Sequence, residues 1–297
     1  MGKLLDRINE CGDIKKIKKE EYDELASEIR AFILENVSKT GGHIASSLGA
    51  VELTMALHLC LDLPKDKLIW DVGHQSYTHK LLSGRKDAFG SLRKYGGLSG
   101  FTNMKESPAD AFGAGHSSTS ISAAIGYCRA RDLMGEDYNV VCVIGDGSMT
   151  GGMAYEALND ANSLKSNLII ILNDNEMSIG KNVGGLSKYL NHIRTRKSYM
   201  DLKEDLKNKL SKIPKGESLV KSMSRSKDNL RQLILEGGFF EDLGIDYMGP
   251  IDGHNINELV RTINAAKRRN EAVLIHVVTK KGKGYEPAER DPQAYHG

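Results

Sequence analysis

Val140-Val141-Cys142-Val143-Ile144-Gly145-Asp146-Gly147 decides how this chain is read. Its apolar run, rich in Val, predicts a strand buried on both faces, and the Gly-Asp-Gly that follows predicts a sharp polar turn. A second run of the same kind, Leu168-Ile169-Ile170-Ile171-Leu172, ends in Asn173-Asp174-Asn175. If the two strands are parallel neighbours, the Asp146 carboxylate and the Asn175 amide oxygen meet at one edge of the sheet. Two hard oxygen donors placed there suit an octahedral Mg²⁺ that also grips phosphate oxygens. Gly147 lets the backbone approach a phosphate closely, and the helix expected from residue 152 offers its N-terminus to negative charge. Alone, Gly-Asp-Gly is equally an ordinary turn with Asp146 capping that helix. The second polar strand end favours the metal. Met177, two positions past Asn175, is placed to complete the shell with its main-chain carbonyl.

Outward from this pair, helical spacing predicts a helix over Tyr22–Val37, stopped by Gly41-Gly42, and another over Ala50–Leu61. A short strand at Leu68–Trp70 runs into Asp71-Val72-Gly73-His74. Residues 96–110 read as a loop, and Gly113-Ala114-Gly115-His116-Ser117-Ser118 leads into a helix that ends near Met134. Further helices are expected at 152–163 and 256–268, and a strand at Ala272–Val278. Strands alternating with helices predict an α/β fold: a doubly wound, mostly parallel sheet with helices on both faces. Ligands of such sheets sit beyond the carboxyl ends of strands. Asp71–His74, Asp146, Asn175 and Thr279–Tyr285 all follow strands.

The 297 residues are expected to form one large domain, with an insertion or mobile cover at about 182–238. Between Arg194 and Arg231 that segment holds twelve Lys/Arg against five Asp/Glu. It lacks the aromatic interleaving of a nucleic-acid surface and reads as a solvated, partly helical excursion. The whole chain is nearly neutral, with 41 basic against 39 acidic residues, so no global field points to nucleic acid or membrane. Nothing approaches the roughly 20 apolar residues needed to span a bilayer. Four scattered cysteines without a CxxC pair read as reduced residues of a cytoplasmic protein.

Four of the nine histidines follow glycine: His43, His74, His116 and His254. A bent backbone before the ring presents it into a cleft. His43, His74 and His116 are candidates for binding phosphate or carbonyl oxygens and for moving protons. His58 and His276 read as structural residues, and His254 stays open between the two. Zinc is disfavoured, since no Cys pair or His-Glu-x-x-His is present. Ser117 to Ser120 can cap a helix, bind a diphosphate, or do both. Thr279-Lys280-Lys281-Gly282-Lys283-Gly284-Tyr285 offers flexible cations after a strand, suited to phosphate.

Gly-Asp-Gly followed by Asn-Asp-Asn, each ending a strand, resembles the cofactor signature of the transketolase group of thiamine-diphosphate enzymes. Longer strings narrow the resemblance. Gly-Gly-His-Ile-Ala-Ser-Ser-Leu-Gly (41–49), Trp-Asp-Val-Gly-His-Gln-Ser-Tyr-Thr-His-Lys (70–80), Gly-His-Ser-Ser-Thr-Ser-Ile-Ser (115–122), Asn-Asp-Asn-Glu-Met-Ser-Ile (173–179), Tyr-Met-Gly-Pro-Ile-Asp-Gly-His (247–254), Lys-Gly-Lys-Gly-Tyr-Glu-Pro-Ala-Glu (281–289) and Asp-Pro-Gln-Ala-Tyr-His-Gly (291–297) are similar to the 1-deoxy-D-xylulose-5-phosphate synthase family. That resemblance implies Mg²⁺ on Asp146, Asn175 and the Met177 carbonyl. It implies thiamine diphosphate against Ser46, His74, Gly115, His116, Ser117, Gly147, Ser148, Asn175, Ile179, Lys281 and Tyr285. It places His43, His74 and His296 by the reacting carbon, and implies pyruvate and glyceraldehyde 3-phosphate as substrates.

Phe101-Thr102-Asn103-Met104-Lys105 departs from the family, which carries a more basic stretch there. The family's pyrimidine-binding and C-terminal domains have no counterpart in these residues. Three readings therefore stand. The chain is a part of the synthase, with little activity alone; or one subunit of a split transketolase-like enzyme, paired as a homodimer or with a chain that brings the pyrimidine-binding domain; or a non-catalytic thiamine-diphosphate-binding module. The presence of His43, His74 and His296 argues against the last.

Overall fold

The computed structural model describes residues 3–175, 185–195 and 238–297. Most of the expected cover at 182–238, together with Met177 and Ile179, lies outside the described residues. Five strands are formed: β1 (Lys67–Trp70), β2 (Val140–Gly145), β3 (Leu168–Asp174), β4 (Asp246–Asp252) and β5 (Ala272–Val278). They pair in parallel in the order β1-β2-β3-β5-β4.

The apolar runs alternate between two cores, as side chains pointing to opposite faces must. Val141, Val143, Ile169, Ile171, Val273 and Ile275 enter the first core. Val140, Cys142, Ile144, Leu168, Ile170, Leu172 and Leu274 enter the second. Burial on both faces is why these strands read as unbroken apolar runs.

The first core is covered by α1 (Tyr22–Thr40), α2 (Ile44–Gly49), α3 (Val51–Cys60), α4 (Tyr77–Leu82) and α9 (Ile256–Ala266). The second is covered by α5 (Ser120–Met134), α6 (Gly152–Ala161), α7 (Gly185–Thr195) and the single turn α8 (Phe239–Asp242). A last short helix, α10 (Glu286–Arg290), follows β5. From β1 to β3 the chain steps one way across the sheet, with α5 and α6 on the second face. From β4 to β5 it steps back, with α9 on the first face. A uniform hand for parallel crossovers requires that exchange of faces.

The expected helices appear with small changes. Gly41, at φ 75°, ends α1 three residues later than expected, and the helix expected at Ala50–Leu61 is preceded by α2. β4 was not legible. It carries Gly249-Pro250, its register breaks between Met248 and Ile251, and it lies at the sheet edge, where proline is tolerated. All four cysteines are free, and Cys60, Cys128 and Cys142 are buried. Among the described residues no helix is long and apolar enough to cross a membrane.

Candidate active site

β2 and β3 pair with Gly145 opposite Asn173, and the Asp146 amide donates to the Asn173 carbonyl at 3.3 Å. Asp146 and the Asn173–Asn175 turn therefore leave the same edge of the sheet. Asp146 is buried, and the helix beyond it starts at Gly152 behind a short turn capped by Gly151, so Asp146 is not that helix's cap. Burial pushes its carboxyl up to about 7, and the charge of buried Asp174 pushes the same way. Two carboxyl groups here compete for one proton. A divalent cation relieves that competition directly.

The other members of the turn are fixed from behind. The Asn173 amide donates to Gln75 at 2.9 Å, and its oxygen accepts from Thr279 at 2.6 Å. Asp174 accepts from His276 Nε2 at 2.9 Å, and His276 Nδ1 accepts from the Tyr247 hydroxyl at 2.8 Å. Asn175 sits half-buried at the outer end of the turn.

Three imidazoles meet beside this edge. Ring centroids are 5.7 Å apart for His43 and His74, 5.6 Å for His43 and His296, and 6.0 Å for His74 and His296. His43 sits at the start of α2 because Gly42 adopts φ 143°, where a Cβ would meet the Tyr77 hydroxyl at 2.5 Å. That hydroxyl accepts the His43 amide at 3.1 Å. Phe101 packs against His43 at 5.6 Å, so the departing stretch 101–105 still closes one wall. The buried Nδ1 atoms of His43 and His74 and the Oγ of Ser46 have no hydrogen-bond partner among the described residues, a deficit that a polar group of a ligand would fill. Burial lowers His43 to about 4 and His74 to about 3, and the neighbouring histidines and Lys281 add to the shift. Both are neutral bases at pH 7.

Lys281 joins the two halves. Its ammonium lies 3.1 Å from His296 Nδ1; burial lowers its pKa, and the charge of Asp146 opposes that shift in part. Sequence reading treated the cations after β5 as flexible. The structure corrects this for Lys281 alone, which is 5 % exposed and held within a tight turn, whereas Lys280 stays exposed.

The Gly115–Ser118 turn is held by a residue whose task sequence reading missed. The Asp71 carboxylate, at the end of β1, accepts the amides of Ser118 at 2.9 Å and Ser120 at 3.0 Å. Of the two roles left open for Ser117 to Ser120, side-chain capping of α5 is not seen: its N-cap, Thr119, makes no capping hydrogen bond. Ser118, at φ 69°, instead donates its hydroxyl to the Ser148 carbonyl at 2.7 Å, tying the turn to the loop after β2. A Cβ at Gly151 would meet that hydroxyl at 2.2 Å. Gly115 and Gly145 face open space, His116 is exposed, and Ser117 is half-buried. Tyr285 packs edge-on against Tyr295 at 5.6 Å, next to His296. His58 and His276 are buried and hydrogen-bonded, as expected of structural residues.

This edge of a parallel sheet gathers the acid turn, the serine turn, the lysine and the histidines. A family model described as 1-deoxy-D-xylulose-5-phosphate synthase matches residues 5–279. The chain belongs to that family. It is 60 % identical over 298 aligned positions to the 1-deoxy-D-xylulose-5-phosphate synthase of Lachnoclostridium phytofermentans, and 58 % identical to that of Clostridium kluyveri. Both alignments cover all of this chain and 48 % of the relative, so the chain spans about half the length of those proteins. In fold it is similar to transketolase from Campylobacter jejuni, with a TM-score of 0.67 at 20 % identity, covering 95 % of this chain and 41 % of the other. Transketolase from Leishmania mexicana gives 0.63 at 17 % identity, covering 89 % and 37 %.

Proposed function

We propose that this chain forms the diphosphate- and metal-binding part of a 1-deoxy-D-xylulose-5-phosphate synthase, a thiamine-diphosphate-dependent transferase acting in the cytoplasm. The reaction would join pyruvate to glyceraldehyde 3-phosphate with loss of CO₂. The observation that carries this reading is Lys281, buried within reach of both the acid turn and the histidine cluster.

The residues fit the cofactor. Asp146 and Asn175, with the Met177 carbonyl, would hold Mg²⁺: oxygen donors suit a hard cation, and the buried carboxyl pair favours one. Gly115, His116, Ser117, Gly147, Ser148 and Lys281 would hold the diphosphate, with Ser46, Ile179 and Tyr285 bordering the cofactor. When bound, thiamine diphosphate supplies the stabilisation of an acyl carbanion that side chains cannot provide. His43, His74 and His296 would face the substrate carbonyl and hydroxyl oxygens to hydrogen-bond them and move protons there, burial keeping His43 and His74 neutral at pH 7 before substrate enters. The aminopyrimidine half of the cofactor would be received by a separate domain, in a homodimer or from a partner chain.

Titration calorimetry with thiamine diphosphate and Mg²⁺ tests this reading, combined with an assay of pyruvate decarboxylation. Binding that requires Mg²⁺ and is lost in Asp146→Ala is expected, with little turnover. Binding indifferent to both Mg²⁺ and Asp146→Ala would overturn the assignment. Full synthase activity from the chain alone would remove the need for a second domain.

A further inference from the structure

His254 follows Gly253 as His43, His74 and His116 follow their glycines, yet it lies outside the histidine cluster. Its ring is nearly enclosed at 11 % exposure. Nδ1 lies 3.0 Å from the Glu52 carboxylate, which can only accept, so Nδ1 carries a proton. Nε2 lies 2.8 Å from the Lys280 amide, which can only donate, so Nε2 carries a lone pair. These two partners select one neutral tautomer.

The same Glu52 oxygen, Oε2, also accepts from the Arg30 guanidinium at 2.6 Å. Burial raises the Glu52 carboxyl, but the bonds from His254 and Arg30 outweigh it and hold the group at about 2. Arg30 then donates through Nε to the Lys283 carbonyl at 2.9 Å. The path therefore closes on itself: Lys280 amide, His254, Glu52, Arg30, Lys283 carbonyl. It grips both ends of a four-residue turn whose second residue is Lys281. The Gly282 amide donates to Ala45 at 2.8 Å, and Gly49 lets the Lys280 carbonyl approach so closely that a Cβ would stand 3.0 Å from it. His254 is itself aimed by the Asp252 carboxylate, which accepts its amide at 2.9 Å. Three distant stretches, α1, α3 and the turn after β4, thus converge on one short loop.

We propose that Arg30, Glu52 and His254 form a positioning clip that fixes Lys281 between the histidine cluster and the acid turn, and that the Nδ1-protonated form of His254 is the working state. His254 touches no reacting atom. Its role passes through Lys281, and insofar as Lys281 is assigned to a diphosphate, the clip rests on the functional reading above.

Histidine 254 substitutions separate positioning from packing. In His254→Gln the side-chain amide can donate to Glu52 and its oxygen can accept from Lys280. His254→Phe fills the space and supplies neither bond. The readout needing no cofactor is competitive acetylation of Lys281, followed by peptide mass spectrometry against exposed Lys39. Labelling in His254→Phe is expected to rise about tenfold, the ordinary consequence of losing one buried hydrogen bond, and His254→Gln is expected to stay within about twofold of the parent. Thiamine diphosphate affinity with Mg²⁺ should fall in parallel in the Phe variant alone. Equal labelling of Lys281 in all three chains would overturn the clip. If the parent binds no thiamine diphosphate, the functional reading fails while the labelling comparison still judges the clip. Should the Phe variant not fold, nitrogen NMR of the parent imidazole decides: a proton on Nδ1 is required, and one on Nε2 refutes the proposal.

Discussion

Under the proposed assignment, Asp146 is a residue costly to the metal-free fold and useful to the loaded one. Its carboxyl titrates near 7 in the folded chain because burial and Asp174 disfavour its charge. The ordinary carboxyl value of the unfolded chain is about 4. Between those values the folded chain holds the extra proton, so this group's contribution to stability is full below about pH 4 and declines as pH rises through 7. A bound divalent cation cancels the decline. Thermal melts from pH 4 to 8 in a chelator are therefore expected to show a downward slope attributable to this pair. Asp146→Asn should flatten it, and Mg²⁺ should raise the melting temperature of the parent but not of the variant. A parent chain whose pH slope is unchanged by Asp146→Asn would show that Asp146 is not the group carrying it. At this scale the sequence was informative where polarity contradicted context: Asp146 and Asn175 each follow a run too apolar to end in such residues without a reason. Asp174 was less legible, because its partner His276 lies 102 positions away.

The elements that sequence reading recovered are those that carry one strong periodic signal. β2, β3 and β5 carry long apolar runs because both faces are covered, and α1 and α9 show clear stripes. β4 lacks that signal, since an edge strand with Gly249-Pro250 is half-exposed along most of its length. The start of α5 was only partly legible for a different reason: a local run of Ser and Thr left capping and diphosphate binding both open, and the acceptor comes from Asp71, at the end of another strand. Asp71 is expected to matter accordingly. Asp71→Ala leaves two buried amides without an acceptor and should cost about 2–3 kcal/mol of stability. Asp71→Asn retains one acceptor oxygen and should cost less. Urea denaturation of the two variants measures the difference. Equal, negligible losses would mean that α5 is held by its packing alone.

On the scale of the whole molecule, β3 is the shared wall of two cores. Ile170 faces the second core and Ile171 the first, and both are fully buried. A site assembled from the ends of β1, β2, β3 and β5 keeps its geometry only if the two cores rise and fall together. The single tryptophan, Trp70, provides a reporter of the first core alone. Ile171→Ala removes atoms on Trp70's side of the sheet, and Ile170→Ala removes atoms on the other. Each truncation is expected to cost about 3 kcal/mol. In urea, both should lower the midpoint of Trp70 fluorescence by similar amounts with unchanged slope, coincident with the loss of helix by circular dichroism. A Trp70 midpoint that moves for Ile171→Ala and stays fixed for Ile170→Ala would divide the chain into two cooperative units. The sheet edge would then be a junction between independently melting parts, and the distances among Asp146, Lys281 and His296 would depend on how those parts meet.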